Sequence, residues 1–137
     1  MTRLSPRAFA FALALSTALP ACSASAAPPM RAAPESPSDA VRVILKARKL
    51  LTTADVICGG AVTLQSDEAL LLGLTRKNVK FMIDRSQFQA IERELAFETA
   101  DESRARDFCA RARSSKPMLL MRVRQSAHTL GMDTLGL

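Results

Sequence analysis

The stretch from Asp39 to Cys58, DAVRVILKARKLLTTADVIC, is the clearest structural signal in the chain. Its apolar residues recur at steps of three and four, the spacing of one helix face: Ala40, Ile44, Ala47, Leu51, Ala54 and Cys58. Ser38 is the predicted N-cap of this helix, and Gly59-Gly60 is the predicted stop. The pattern therefore predicts a long helix with one buried face, and Cys58 lies on that face near the helix end.

Two more helices are expected after the Gly59-Gly60 stop. The first is capped by Ser66 and turns its leucines inward, namely Leu70, Leu71 and Leu74. The second opens at a capping box formed by Ser86 and Gln89, whose side chains can bond the free backbone N–H groups of the first turn. Its inward residues are Phe88, Ile91 and Leu95. Residues 77–84 alternate as a strand would, so a strand stays open there.

The second half of the chain predicts two further helices. Thr99 and Glu102 form another capping box, and the helix they open ends at Ser114-Ser115, with a buried face of Ala105, Phe108, Cys109 and Ala112. The last helix runs from Pro117 to Gly131 and buries Leu120, Val123, Ala127 and Leu130. The sum is an all-α fold, a bundle of four to five helices. The alternative is an α+β fold in which residues 79–83 and 118–123 pair as short strands.

The N-terminal residues have the order of an export signal. Arg3 and Arg7 precede an apolar run from Ala8 to Leu19, and small residues follow Pro20. Cleavage after Ala26 would satisfy the small-x-small rule of signal peptidase. This predicts a signal peptide over residues 1–26, an Ala/Pro/Ser linker over 27–37, a helical domain over 38–131 and a tail over 132–137.

A second cleavage site competes with the first. The stretch Leu19-Pro20-Ala21-Cys22 resembles the lipobox of bacterial lipoproteins, in which the Cys receives the lipid. Pro20 departs from that pattern. The resemblance implies cleavage before Cys22 and lipidation of its thiol, so the exported protein is predicted to be periplasmic, either soluble or tethered to the membrane.

The two remaining cysteines are predicted to form a disulfide. Cys58 and Cys109 are an even pair in an exported chain, with no CxxC motif and no Cys-His spacing typical of a zinc site. A bridge between them closes a loop of 51 residues and would stabilise the fold by about 4 kcal/mol on the chain-entropy model. We therefore expect this disulfide to hold the end of the first long helix against the helix that contains Cys109.

Catalytic and cofactor motifs are missing from the sequence. His128 is the only histidine, neither GxSxG nor a phosphate-binding glycine loop is present, and no cofactor is indicated. Glu94, Glu98 and Glu102 invite an interpretation as paired carboxylates, but the helix start predicted at Thr99 would separate them, and a solvated face is favoured. The Met118-x-x-Met121 and His128-x-x-x-Met132 spacings suit a soft metal such as Cu(I), although methionine is a common core filler.

Positive charge is concentrated in one segment. Residues 104–124 contain seven basic residues and one acidic residue, whereas the rest of the chain from Ala27 contains 10 basic and 12 acidic ones. The arginines flank the apolar faces of the predicted helices: Arg104, Arg106, Arg111, Arg113, Arg122 and Arg124. One interpretation is structural, with Glu94, Glu98 and Glu102 as ion-pair partners. The functional interpretation is a non-enzymatic module that binds an anionic lipid surface or an acidic envelope protein, with nucleic acid disfavoured by the lack of Tyr and Trp. The alternative function is a soft-metal or small-ligand binder that uses the Met/His segment.

Overall fold

The computed structural model describes residues 35–133, which form four helices. They are α1 (Pro37–Ile57), α2 (Ser66–Val79), α3 (Arg85–Glu102) and α4 (Phe108–Thr129). No strand occurs in this range, so the predicted all-α bundle is confirmed and the α+β alternative is wrong. Residues 79–83 end α2 and turn towards α3, and residues 118–123 lie inside α4.

Helix α1 is the centre of the bundle and contacts all three other helices. Its predicted buried face is confirmed, because the five residues of that face within the helix are at most 1% exposed: Ala40, Ile44, Ala47, Leu51 and Ala54. The predicted N-cap is wrong by two residues. Ser36 caps the helix by accepting a hydrogen bond from the Asp39 backbone N–H (3.1 Å), and Pro37 occupies the first turn, where its fixed φ is already helical.

Helix α2 buries a different face from the one predicted. Leu71 is buried as expected, but Leu70 and Leu74 are 50% and 40% exposed. The inward face instead consists of Leu71, Leu72, Thr75 and Val79. Thr75 can be buried because its hydroxyl donates to the Leu71 carbonyl oxygen (2.7 Å). A run of consecutive leucines fits either of two helix faces equally well. The face that is buried includes a threonine, and a hydrophobicity pattern alone does not predict that a threonine is buried.

The remaining helix starts also shift. The cap of α2 is Gln65, whose backbone N–H donates to Glu68 Oε2 (2.8 Å), and the helix begins at Ser66. Helix α3 begins at Arg85 after the cap residue Asp84, so the predicted capping box of Ser86 and Gln89 is wrong. Its inward face is confirmed at Leu95, which is fully buried, while Phe88 and Ile91 pack against the core and are partly buried.

The boundary between α3 and α4 differs most from the sequence-based expectation. Thr99 and Glu102 do not open a helix; they form the last turn of α3, and residues 103–107 make the turn to α4. Ser114 and Ser115 do not end a helix either, because both hydroxyls donate to the Arg111 carbonyl oxygen within α4 (3.0 and 2.8 Å). Helix α4 therefore runs unbroken for 22 residues with Pro117 inside it.

A disulfide joins the end of α1 to the first turn of α4, as predicted. Cys58 and Cys109 are bonded, with their Cα atoms 5.6 Å apart. A small apolar cluster surrounds the bond and consists of Ala54, Val62, Phe108 and Ala112. The main core lies further along the bundle, where Ile44, Leu51, Leu71 and Leu95 are fully buried. The bridge thus lies at the smaller of the two apolar clusters.

The predicted signal peptide and Cys22 lie outside the described residues. Between Glu35 and Asp133, no helix is both long enough and apolar enough to cross a membrane.

Candidate surface for an anionic partner

Helix α4 places its cations in two rows. The helix contains five basic residues and no acidic residue. Arg111 and Arg122 are eleven residues apart, so at 100° per residue they lie on the same flank of the helix, about 16 Å apart along its axis. Arg113 and Arg124 have the same spacing on the other flank. All four arginines are exposed, and the buried stripe of Phe108, Ala112, Leu120, Val123 and Ala127 lies between the flanks.

The outward face of α4 is neutral and partly apolar. Met118 and Met121 are 47% and 52% exposed, although both belong to a residue type that usually fills cores. His128 is also exposed and lies two turns after Met121. A partner that approaches this side would therefore meet thioether side chains at the centre and guanidinium groups on both edges.

The six arginines singled out in the sequence differ in their partners. Arg111 Nε lies 3.1 Å from Asp107 Oδ2, and Arg113 Nε donates to the Ala61 carbonyl oxygen (3.1 Å). The other four make no side-chain hydrogen bond or ion pair within residues 35–133: Arg104, Arg106, Arg122 and Arg124. These four are therefore free to pair with an external anion.

Lys116 is the cation of α4 whose ion pair is the most shielded from solvent. Its Nζ lies 2.6 Å from Glu68 Oε2 and donates to the Thr63 carbonyl oxygen (2.6 Å). Both side chains are largely shielded, with 18% and 15% of their areas exposed. This pair ties α4 to the start of α2 and leaves the arginine rows to face solvent.

The glutamates expected to neutralise the arginines pair with α1 instead. Arg42 donates to both Glu94 oxygens (2.7 and 2.6 Å), and Glu98 lies between Arg42 (3.2 Å) and Lys46 (3.3 Å). Lys46 also lies 3.4 Å from Glu102. We call these five residues the α1–α3 ladder. The three glutamates share one face because α3 continues through Thr99, contrary to the predicted helix start.

Charge pairing in the ladder shifts the pKa values of its members. The hydrogen bond from Arg42 lowers the pKa of Glu94, and the same bond raises the pKa of Arg42. Burial alone would lower the pKa of Lys46, but its bonds to Glu98 and its proximity to Glu102 outweigh burial and raise it. Glu94 is therefore held ionised, which is the state of a structural ion pair and the opposite of what a general acid needs.

The soft-metal ligands are not brought together as their spacing suggested. Met118 and Met121 share the outward face, but Met132 packs against the main core. Gly131 ends the helix with a φ of 72°, and the backbone N–H groups of Gly131 and Met132 bond the carbonyls of His128 and Ala127 (both 2.9 Å). This reversal of the chain turns Met132 away from the exposed His128. Among the described residues, no group of three His, Cys, Asp or Glu side chains could hold a metal ion.

A second basic surface, which the sequence did not reveal, lies between α2 and α3. Six cations line it: Lys49, Arg76, Lys77, Lys80, Arg85 and Arg93. These residues come from three helices and from the residues that adjoin them, so a sum of charge over one segment does not show how many of them the fold brings together. We call this surface the α2–α3 trough.

An apolar cavity of about 310 Å³ lies beside the disulfide end of α4, lined by Leu50, Leu51, Phe108 and Leu119, with Arg111 at its edge. Its polar lining groups already have partners within the protein, because Glu102 lies 3.4 Å from Lys46 Nζ and the hydroxyls of Ser114 and Ser115 donate to the Arg111 carbonyl oxygen. No protein-family model, curated protein or solved structure matches this chain.

Proposed function

We propose that the protein is an exported, non-enzymatic interaction module whose α4 surface binds an anionic component of the cell envelope. One observation carries the proposal: over 22 residues, α4 has exposed arginines on both flanks of its outward face and no carboxylate of its own, and Asp107 at its N-cap pairs with Arg111 alone. The partner is a layer of anionic lipid headgroups or the acidic face of an envelope protein.

The residue types on α4 suit such a partner. A guanidinium group can donate two parallel hydrogen bonds to a phosphate or carboxylate, which an ammonium group cannot do. The exposed thioethers of Met118 and Met121 can adapt to an irregular apolar surface between those contacts. Two arginine rows about 16 Å long would engage several anions at once, and the binding would weaken as salt screens the charges.

Three further features support export and a non-enzymatic role. The residues before Ala27 have the order of a signal peptide, and the Cys58–Cys109 disulfide is typical of an oxidising compartment. The single histidine lies exposed on α4. The glutamates that could have acted as paired catalytic carboxylates form ion pairs with Arg42 and Lys46. These observations favour binding over catalysis.

The test is co-sedimentation with vesicles that contain anionic phospholipid, and separately with envelope extract, at low and high salt. Wild-type protein is compared with R106Q/R122Q/R124Q, called the α4 variant, which removes two unpaired arginines from α4 and one from the turn just before it. A matched control, R76Q/K80Q/R93Q, removes the same charge from the α2–α3 trough. On the vesicles, we expect the α4 variant to lose most of its salt-sensitive recovery while the control retains it. Equal recovery of all three proteins at every salt concentration would return the α4 arginines to a structural role.

A further inference from the structure

The α2–α3 trough is a continuous depression rather than a set of separate pits. Four cavities follow one another along α3, with volumes of about 410, 260, 590 and 350 Å³. Neighbouring cavities share lining residues: Lys80 and Phe88 join the first two, Arg76 and Glu92 the next two, and Lys49 and Ala96 the last two. Along α3 the depression extends from Arg85 to Ser103, about 27 Å at 1.5 Å per residue.

The trough is strongly cationic and lacks internal compensation. The fourth cavity adds Arg48 to the six cations, and none of the seven makes an ion pair in the described part of the chain. Glu92 lines three of the four cavities and is the single carboxylate among the lining residues. Burial and the charge of Arg76 lower the pKa of Arg48, and the smaller opposing effect of Glu92 does not cancel this. Cations gathered at this density repel one another, and a bound polyanion would relieve that repulsion.

One end of the trough is aromatic. Phe88 and Phe81 line the cavity nearest the turn between α2 and α3, and Phe81 is 74% exposed. Lys80 Nζ lies 4.7 Å from the centroid of the Phe81 ring. The other end is lined by hydroxyl groups, including those of Thr52 and Ser103. A ligand would therefore meet an apolar contact at one end, charge in the middle and hydrogen-bonding groups at the other.

We propose that the α2–α3 trough binds an extended acidic peptide segment of a partner protein, with an apolar side chain of that segment against Phe81 and Phe88. A length of about 27 Å accommodates about eight extended residues at 3.3 Å each. A lipid bilayer is a broad surface and does not enter a depression between two helices. A single-stranded nucleic acid would use aromatic rings along its whole length for stacking, whereas the trough has them only at one end.

The proposal is independent of the α4 surface, and fluorescence anisotropy tests it on the full chain. The probe is a labelled eight-residue peptide in which Glu alternates with Ser and the last residue is Phe. Reference probes are the same peptide with Gln for Glu, the same peptide ending in Ser, and an eight-nucleotide oligothymidylate. Proteins are wild type, R76Q/K80Q/R93Q, F81A and, as the matched control, R106Q/R122Q/R124Q, each checked for wild-type circular dichroism.

We expect R76Q/K80Q/R93Q to raise the Kd for the acidic peptide about tenfold or more. The control R106Q/R122Q/R124Q should change this Kd by less than about twofold. F81A should weaken binding of the Phe-ended peptide and leave the Ser-ended one unchanged. Equal losses in both charge variants, or equal binding of the Gln peptide, would overturn the proposal. Tighter trough-dependent binding of the oligothymidylate would overturn it in favour of a nucleic acid.

Discussion

The side chains that contribute most to stability are those of α1 that have lost all contact with water. Leu51 and Ile44 are fully buried in the main core, and both lie on the face that contacts the other helices. Removing part of such a side chain loses its transfer free energy and leaves a cavity that the surrounding helices fill only in part.

Leu51→Ala is accordingly expected to lower the free energy of unfolding by about 2–5 kcal/mol. Leu70→Ala is the matched control, because Leu70 lies on α2 but is half exposed, and we expect a loss below about 1 kcal/mol. Urea denaturation followed by circular dichroism measures both values. Similar losses at the two positions would contradict the outward placement of Leu70 on α2.

Ion pairing between α1 and α3 makes part of the stability of the fold depend on pH. Glu94 has a folded-state pKa below its ordinary value of 4.5, because Arg42 hydrogen-bonds its ionised form. A lowered pKa means that the ion pair stabilises the fold fully above about pH 4.5, and that this contribution is lost as pH falls through the lower folded-state value.

We therefore predict that Glu94→Gln makes unfolding less dependent on pH below 4.5 than it is in wild type. Arg42→Gln should reduce the acid dependence in the same way, because it removes the hydrogen-bond donor that lowers the pKa of Glu94. Thermal melting between about pH 2.5 and 7 measures the dependence. A variant as acid-sensitive as wild type would show that the bidentate pair does not persist in solution.

Prediction from sequence worked best for the helix whose apolar residues fit only one buried face. The apolar steps of α1 allow one buried face, and that face is buried. It worked least well at α3 and α4, where local signals were overridden by tertiary contacts. Thr99 is nearly buried, Glu102 pairs with Lys46, and the serines at 114 and 115 satisfy their hydroxyls inside the helix.

The candidate surfaces differ in how much the sequence could reveal. The arginines of α4 are close together along the chain, so their excess over acidic residues is visible in a simple count of charge by segment. The trough gathers cations from α1, α2 and α3 that are up to 44 residues apart, Lys49 and Arg93 being the most distant. Their grouping depends on helix packing, which a linear sum of charge does not contain.

Across the whole molecule, the disulfide is the strongest single constraint on the chain. Because it closes a loop of 51 residues, it restricts the unfolded state far more than a local contact could. Two of the three helices that line the trough, α2 and α3, lie inside this loop.

Cys58→Ser/Cys109→Ser should lower the free energy of unfolding by about 4 kcal/mol, measured by chemical denaturation. Wild-type protein under reducing conditions should show the same loss, whereas reducing agent should leave the double variant unchanged. Unchanged stability of the variant would mean that helix packing alone holds the end of α1 against α4.

The position of this bond also sets how the molecule would respond to mechanical load. A pulling force applied between the N-terminal and C-terminal ends of the described chain passes along α1, crosses from Cys58 to Cys109, and continues into α4. The 50 residues between those cysteines are left out of the load path, so about 170 Å of contour length stays hidden while the bond is intact. Tension could separate α1 from α4 without stretching the backbone that builds α2 and α3.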